Sequence, residues 1–141
     1  MMIDQLTVFL ENKKGRLAAL CRALGDAGIS MHALTIAESE RYGVVRIIAD
    51  NPRLALELLS EQGFRASLTD VLAVEVPDVA GGLARLLEAF EAAGVNIEYA
   101  YCFAASGGKA IDVLRLDDFA AGEAAIKSIG YRVIEAEELY S

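Results

Sequence analysis

Two short segments place a small polar residue three positions ahead of a glycine and then open an apolar run. The first is Glu11-Asn12-Lys13-Lys14-Gly15-Arg16-Leu17, and the second is Pro77-Asp78-Val79-Ala80-Gly81-Gly82-Leu83. The expected roles follow from residue type. Asn12 and Asp78 can cap the start of a helix by accepting from backbone N–H groups. Gly15 and Gly81 let a backbone approach whatever lies over that helix end. A helix start carries free N–H groups and partial positive charge, which together suit a carboxylate. Further on, Gly28-Ile29-Ser30 and Gly94-Val95-Asn96 open the next segment, and Ser30 or Asn96 can hydrogen-bond an amino or carboxylate group. The bland alternative is a pair of capped turns, with Lys13, Lys14 and Arg16 as solvated charge.

The elements that position these segments come in two copies. With a shift of 66, Gly15, Leu17, Ala18, Leu20, Ala23, Ala27 and Gly28 fall on Gly81, Leu83, Ala84, Leu86, Ala89, Ala93 and Gly94. Later the shift is 67, carrying Gly63 and Phe64 onto Gly130 and Tyr131. A repeat of this length is a duplicated domain. In the first copy Leu6 to Leu10 alternates as a strand, and Leu17, Leu20, Cys21 and Leu24 recur at helical spacing. Ile29 to Ala37 and Tyr42 to Ala49 read as strands around the turn Glu38-Ser39-Glu40-Arg41. Asn51-Pro52 starts a second helix, and Phe64 to Leu68 begins a last strand. The second copy follows with strands at Leu72 to Val76, Asn96 to Ala105, Lys109 to Leu116 and Arg132 to Ala136. The turn Ser106-Gly107-Gly108 joins its middle pair, and Gly122, Ala125, Ile126 and Ile129 stripe its second helix. The predicted fold is α+β: two tandem ferredoxin-like βαββαβ domains, each an antiparallel four-stranded sheet with two helices on one face. The boundaries are 1–69 and 70–141, with no linker, since 65–76 runs on as one strand. Tyr99, Tyr101 and Phe103 are expected to fill the core against the helices. Leu34, Ile36, Ala100 and Cys102 are expected on the opposite, partly apolar sheet face. The tail Glu138-Leu139-Tyr140 matches 71–73 and is expected to pair as a strand across a dimer.

Composition limits the functions available. Of 141 residues, 55% are hydrophobic and 24% charged, so the chain should pack a core. A net charge of −8 argues against nucleic-acid phosphates as partners. No apolar run reaches the roughly 20 residues a membrane helix needs, and the first residues do not read as a signal peptide. The expected location is cytoplasmic. Cys21 and Cys102 fit no metal or redox spacing and are expected to be buried thiols. His32 stands alone, so neither a metal site nor a cofactor is expected. There is no nucleophile–base pair and no phosphate loop, which excludes the familiar enzyme constellations.

Asn-x-x-Gly-x-Leu after a first strand, with Gly-Ile-Ser-Met and Gly-Val-Asn-Ile opening the second strands, resembles the ACT domain. The likeness covers nearly the whole chain in both copies. It implies a non-catalytic regulatory protein that binds a free amino acid at an interface between domains, held by the first loop of one and the second strand of its neighbour. By matching position, Asn12, Gly15, Arg16 and Leu17 would line one pocket with Ser30 or Asn96, and Asp78, Gly81, Gly82 and Leu83 the related one. The expected assembly is a homodimer, with an enzyme of amino-acid metabolism as a further partner. The chain departs from the family in having Asp78 where Asn is common, and Lys14 and Ala80 where proline often precedes the glycine. A carboxylate at 78 would repel the ligand's own, which makes the first loop the better site. The competing reading is a protein-interaction module that uses the apolar sheet face and has no working pocket.

Overall fold

In the computed structural model, residues 2–39, 41–105 and 107–140 are described. Glu40 and Ser106, both read above as turn residues, lie outside them. The elements run β1 (Ile3–Glu11), α1 (Arg16–Asp26), β2 (Met31–Glu38), β3 (Tyr42–Ala49), α2 (Pro52–Glu61) and β4 (Arg65–Pro77). They continue as α3 (Gly82–Ala92), β5 (Ile97–Ala105), β6 (Lys109–Leu116), α4 (Phe119–Ser128), β7 (Arg132–Val133) and α5 (Ala136–Tyr140). The chain divides into two compact units, Asp4–Thr69 with Leu139–Ser141, and Asp70–Glu138 with Met1–Ile3. The α+β, tandem ferredoxin-like reading holds. Where the tail was expected to extend as a strand, it coils as α5, and β7 stops at Val133. The side chain of Glu138 reaches back to the backbone N–H of Glu135 at 2.9 Å, which favours a helical turn over an extended tail.

In the first unit the strand order is β2-β3-β1-β4. Leu6 faces Ile47 and Val8 faces Val45 across the β1–β3 ladder. These side chains meet Leu20, Ala23 and Leu24 of α1 and Ala55 and Leu59 of α2, all buried. Leu17 and Cys21, the other half of the predicted stripe, are 36% exposed and half-buried respectively. Asn51 caps α2, its Oδ1 accepting from the Leu54 N–H at 3.3 Å. Asn51→Ala should therefore cost about 1 kcal/mol, measurable as a lower midpoint in chemical denaturation. The second unit repeats the plan as β5-β6-β4-β7, with Leu72, Val74, Leu114 and Leu116 packed on Leu86, Phe90 and Ile126.

One local feature reverses an expectation in both units. The pairing of β2 with β3 shifts between Met31 and Ala33, and that of β5 with β6 shifts between Ile97 and Tyr99. Each is a bulge at the equivalent residue, His32 or Glu98. A one-residue slip sends every later side chain to the other face. Leu34 and Ile36 therefore pair with the core residues Ile47 and Val45, on the helix-bearing side. Ala100 and Cys102 pair with Leu114 and Asp112 on the same side of their unit. Tyr99, Tyr101 and Phe103 point the other way, half-buried and outside the helix-packed core. Because β2 and β5 are edge strands, the helices leave them partly uncovered. Leu34 is 39% and Ile36 49% exposed, and Cys102 is an exposed free thiol where a buried one was expected.

Candidate functional site

The β1–α1 connection is built as a tight turn with a left-handed glycine. Gly15 sits at φ 86° immediately before α1, and Gly81 repeats this at φ 83° before α3. A side chain at either position would be strained by about 1–2 kcal/mol. Neither helix has a side-chain cap, which corrects the capping role expected of Asn12 and Asp78. The main chain tethers those residues instead: Asn12 N–H donates to the Arg41 carbonyl at 2.9 Å, and Asp78 N–H to the Gly108 carbonyl at 2.9 Å. Each side chain is exposed, and each helix keeps uncapped first-turn amides.

Beneath Asn12 lies a cleft of about 440 Å³, lined by Leu10, Glu11, Asn12, Lys13, Leu17, Ile36, Glu38 and Gly43. Its floor is apolar, through Leu10, Leu17, Ile36 and Gly43, and its rim carries both signs of charge. Lys13 Nζ lies 2.9 Å from Glu11 Oε2. That hydrogen bond and the lysine charge hold the Glu11 carboxyl below its ordinary range. Of the expected residues, Asn12 and Leu17 line this cleft and Gly15 shapes the turn above it. Arg16 turns to a separate cavity, where its guanidinium lies 5.1 Å from the Phe64 ring centroid. Ser30 is not brought to the cleft within its own unit. It precedes β2, whose far end supplies Ile36 and Glu38, and six residues of strand span about 20 Å. There Ser30 N–H donates to Asp50 Oδ1 at 3.2 Å, and Asn96 does the same to Asp117 at 2.9 Å.

The second loop differs in ways the repeat makes measurable. Gly82 is buried at the start of α3, where an added Cβ would meet the Pro77 carbonyl oxygen at 2.3 Å. Its own carbonyl accepts from the Tyr131 hydroxyl at 2.7 Å. Leu83 is 44% exposed beside it. Where the first unit has the cross-strand pair Ile36–Val45, the second has Cys102–Asp112. Asp112 is only 5% exposed. Burial pushes its carboxyl above the ordinary value, partly offset by a hydrogen bond from Cys102. The Cys102 thiol is pushed up in turn, by burial first and then by the Asp112 charge. Sequence reading passed over Asp112, although a carboxylate in Ile111-Asp112-Val113-Leu114, against Val45 in the other copy, was the available signal. Ile36, Glu38 and Gly43 were missed for a different reason, since only the hairpin's register returns them to the first loop.

The comparisons with known proteins bear on the family and the fold. The family model for the ACT domain pair matches residues 1–141. The crystal structure of protein BT0572 from Bacteroides thetaiotaomicron is 35% identical with a TM-score of 0.94, over 100% of this chain and 97% of that one. The ligand-free regulatory subunit of aspartate kinase from Thermus thermophilus is 20% identical with a TM-score of 0.63, over 98% and 93%. The corresponding subunit from Thermus flavus is 20% identical with a TM-score of 0.59, over 99% and 94%. No match was found among curated proteins.

Proposed function

The chain belongs to the ACT domain pair family, and from that premise we propose that it is a non-catalytic regulatory protein that binds a free amino acid under Asn12. The observation that carries this reading is the cleft itself. Its volume of about 440 Å³ lies within the range of small-ligand sites, about 300–1,000 Å³. Lys13 and the first-turn amides of α1 suit the ligand carboxylate, and Glu38 suits its ammonium group. The floor of Leu10, Leu17 and Ile36 suits an aliphatic side chain over a charged one. A second copy of the chain closes the open side, so ligand and homodimer favour each other, and a partner enzyme reads the resulting state. A ligand shifts only an equilibrium whose two states it binds differently.

The test is a melting panel over the free amino acids. At 100 times Kd a true ligand should add about 2.7 kcal/mol, on the order of 5–10 °C for a chain of this size. Aliphatic amino acids should lead the panel. A flat panel would sink the proposal and favour the second reading, a protein-interaction module. That reading draws support from Leu34 and Ile36, exposed along the edge strand β2.

A further inference from the structure

The duplication provides a comparison inside the molecule. In the second unit a small cavity is bordered by Glu75, Pro77, Lys109, Gly130, Tyr131 and Arg132. Its centre is a carboxylate. Glu75 Oε2 lies 3.3 Å from Arg132 Nε and 3.3 Å from Lys109 Nζ, while Oε1 lies 3.5 Å from Arg132 Nη2. Glu138 pairs with the same arginine. The Arg132 hydrogen bond above all holds the Glu75 carboxyl below its ordinary range. The niche is thus a carboxylate site occupied by the chain's own glutamate.

The same place in the first unit is bordered by Phe9, Glu11, Arg16, Tyr42, Gly63, Phe64 and Arg65, around a cavity of about 250 Å³. The ladder registers establish the equivalence. Glu11 pairs with Tyr42 as Pro77 pairs with Lys109, and Phe9 pairs with Val44 as Glu75 pairs with Ile111. The arginine is kept, as Arg65 for Arg132. The internal carboxylate is gone, because Phe9 stands where Glu75 does. A second guanidinium is added, because Arg16 stands where Gly82 does. Among the described residues Arg65 has no carboxylate partner, and its guanidinium lies 6.0 Å from the Phe9 ring centroid. The Nε of Arg16 is buried with no hydrogen-bond partner. Glu11 also borders the niche and its carboxylate feels the Arg16 charge weakly, but it is Lys13 that engages it, at 2.9 Å. Phe9 and Tyr42 are 45% and 50% exposed, rings presented to whatever enters.

We propose that this niche, distinct from the cleft under Asn12, binds an organic carboxylate with a flat apolar body. The carboxylate takes a place between Arg65 and Arg16, as the Glu75 carboxylate does between Arg132 and Lys109. The body lies against Phe9 and Tyr42. Two guanidiniums fixed on aromatic faces are preorganised for a planar two-oxygen anion, and apolar walls favour a ring over a bare ion. The cavity is below the usual drug-sized range, so the ligand is small.

The test is titration of the ¹⁵N-labelled full chain with benzoate, acetate and inorganic phosphate at matched ionic strength, followed by NMR. Benzoate should move the Arg65 and Arg16 Nε–H signals and the Gly63 amide, saturably, with acetate and phosphate binding several-fold more weakly. Arg65→Gln should weaken benzoate by about tenfold or more. Phe9→Glu installs the second unit's internal carboxylate and should abolish binding while leaving the melting temperature unchanged or higher. Neither residue lines the cleft under Asn12, so any amino-acid response should survive both substitutions. Should either variant fail to fold, Arg65→Lys keeps the charge, loses the planar fork, and should still weaken benzoate. The proposal is overturned if benzoate moves none of these signals, if folded Phe9→Glu binds as the parent does, or if phosphate binds as tightly as benzoate.

Discussion

Asn12→Ala should remove most of the stabilisation that a saturating amino acid confers, while Asp78→Ala should leave it intact. The two positions are equivalent in the repeat, and each is tethered through its main-chain N–H to a carbonyl at 2.9 Å. Neither side chain caps its helix, so without ligand each variant should melt within about 0.5 kcal/mol of the parent. The difference emerges only on binding. A hydrogen bond from the Asn12 side chain to a charged ligand group is worth about 1.5–3 kcal/mol, which raises Kd by about 10- to 150-fold. At the concentration that gives the parent about 2.7 kcal/mol, Asn12→Ala would then keep only about 0.3–1.3 kcal/mol. Melting curves of the three proteins with and without the best ligand of the panel decide it. Equal losses in Asn12→Ala and Asp78→Ala would mean that both loops bind, and an undiminished shift in Asn12→Ala would move the ligand away from this cleft.

This asymmetry shows where the sequence was informative. The periodic segments and the glycines that end them were enough for the element order, because a strand of alternating Leu6, Val8 and Leu10 and a helix stripe ending at Gly28 are local signals. The left-handed turns at Gly15 and Gly81 were local as well. Facing was not. A bulge at His32 or Glu98 has no composition of its own, and it moved Ile36 and Cys102 to the helix side and the three aromatic residues of β5 away from it. Strand phase counted from Ser30 was therefore right up to the bulge and inverted beyond it. The candidate site was half legible for a related reason. Asn12 and Leu17 belong to one contiguous segment, whereas Ile36, Glu38 and Gly43 reach the cleft through a hairpin register that only pairing defines. Arg16 was read with the cleft because it lies between Gly15 and Leu17, yet Phe64 draws its side chain to the other side of the turn.

Asp112→Val should stabilise the protein at neutral pH by about 1–3 kcal/mol, the typical cost of burying a polar group with incomplete compensation. Valine is the residue that the first unit carries at the same place, Val45, which is fully buried between its strands and helices. Asp112 is 5% exposed, and of the groups around it Cys102 donates a hydrogen bond while Asp78 adds only further negative charge to the thiol's surroundings. Burial raises the folded-state pKa above the unfolded value, near 3.9 for an aspartate. The sign follows from proton counting. Well below the unfolded value the carboxyl is protonated in both states and exacts no ionic cost. As pH rises from that value through the raised folded-state one, the unfolded chain loses its proton first and stability falls. The lowered carboxyls of Glu75 and Glu138 act in the opposite direction, losing their contribution as pH falls, but they are common to parent and variant and cancel in the comparison. The difference between Asp112→Val and the parent should thus be small at pH 4 and widen toward pH 7, as read by urea denaturation at each pH. Asp112→Asn separates charge from shape, since it should flatten the same pH dependence while recovering less of the gain. A difference that stays constant across that range would mean that the Asp112 carboxyl titrates in the folded protein as it does in the unfolded chain, its burial fully offset by its surroundings.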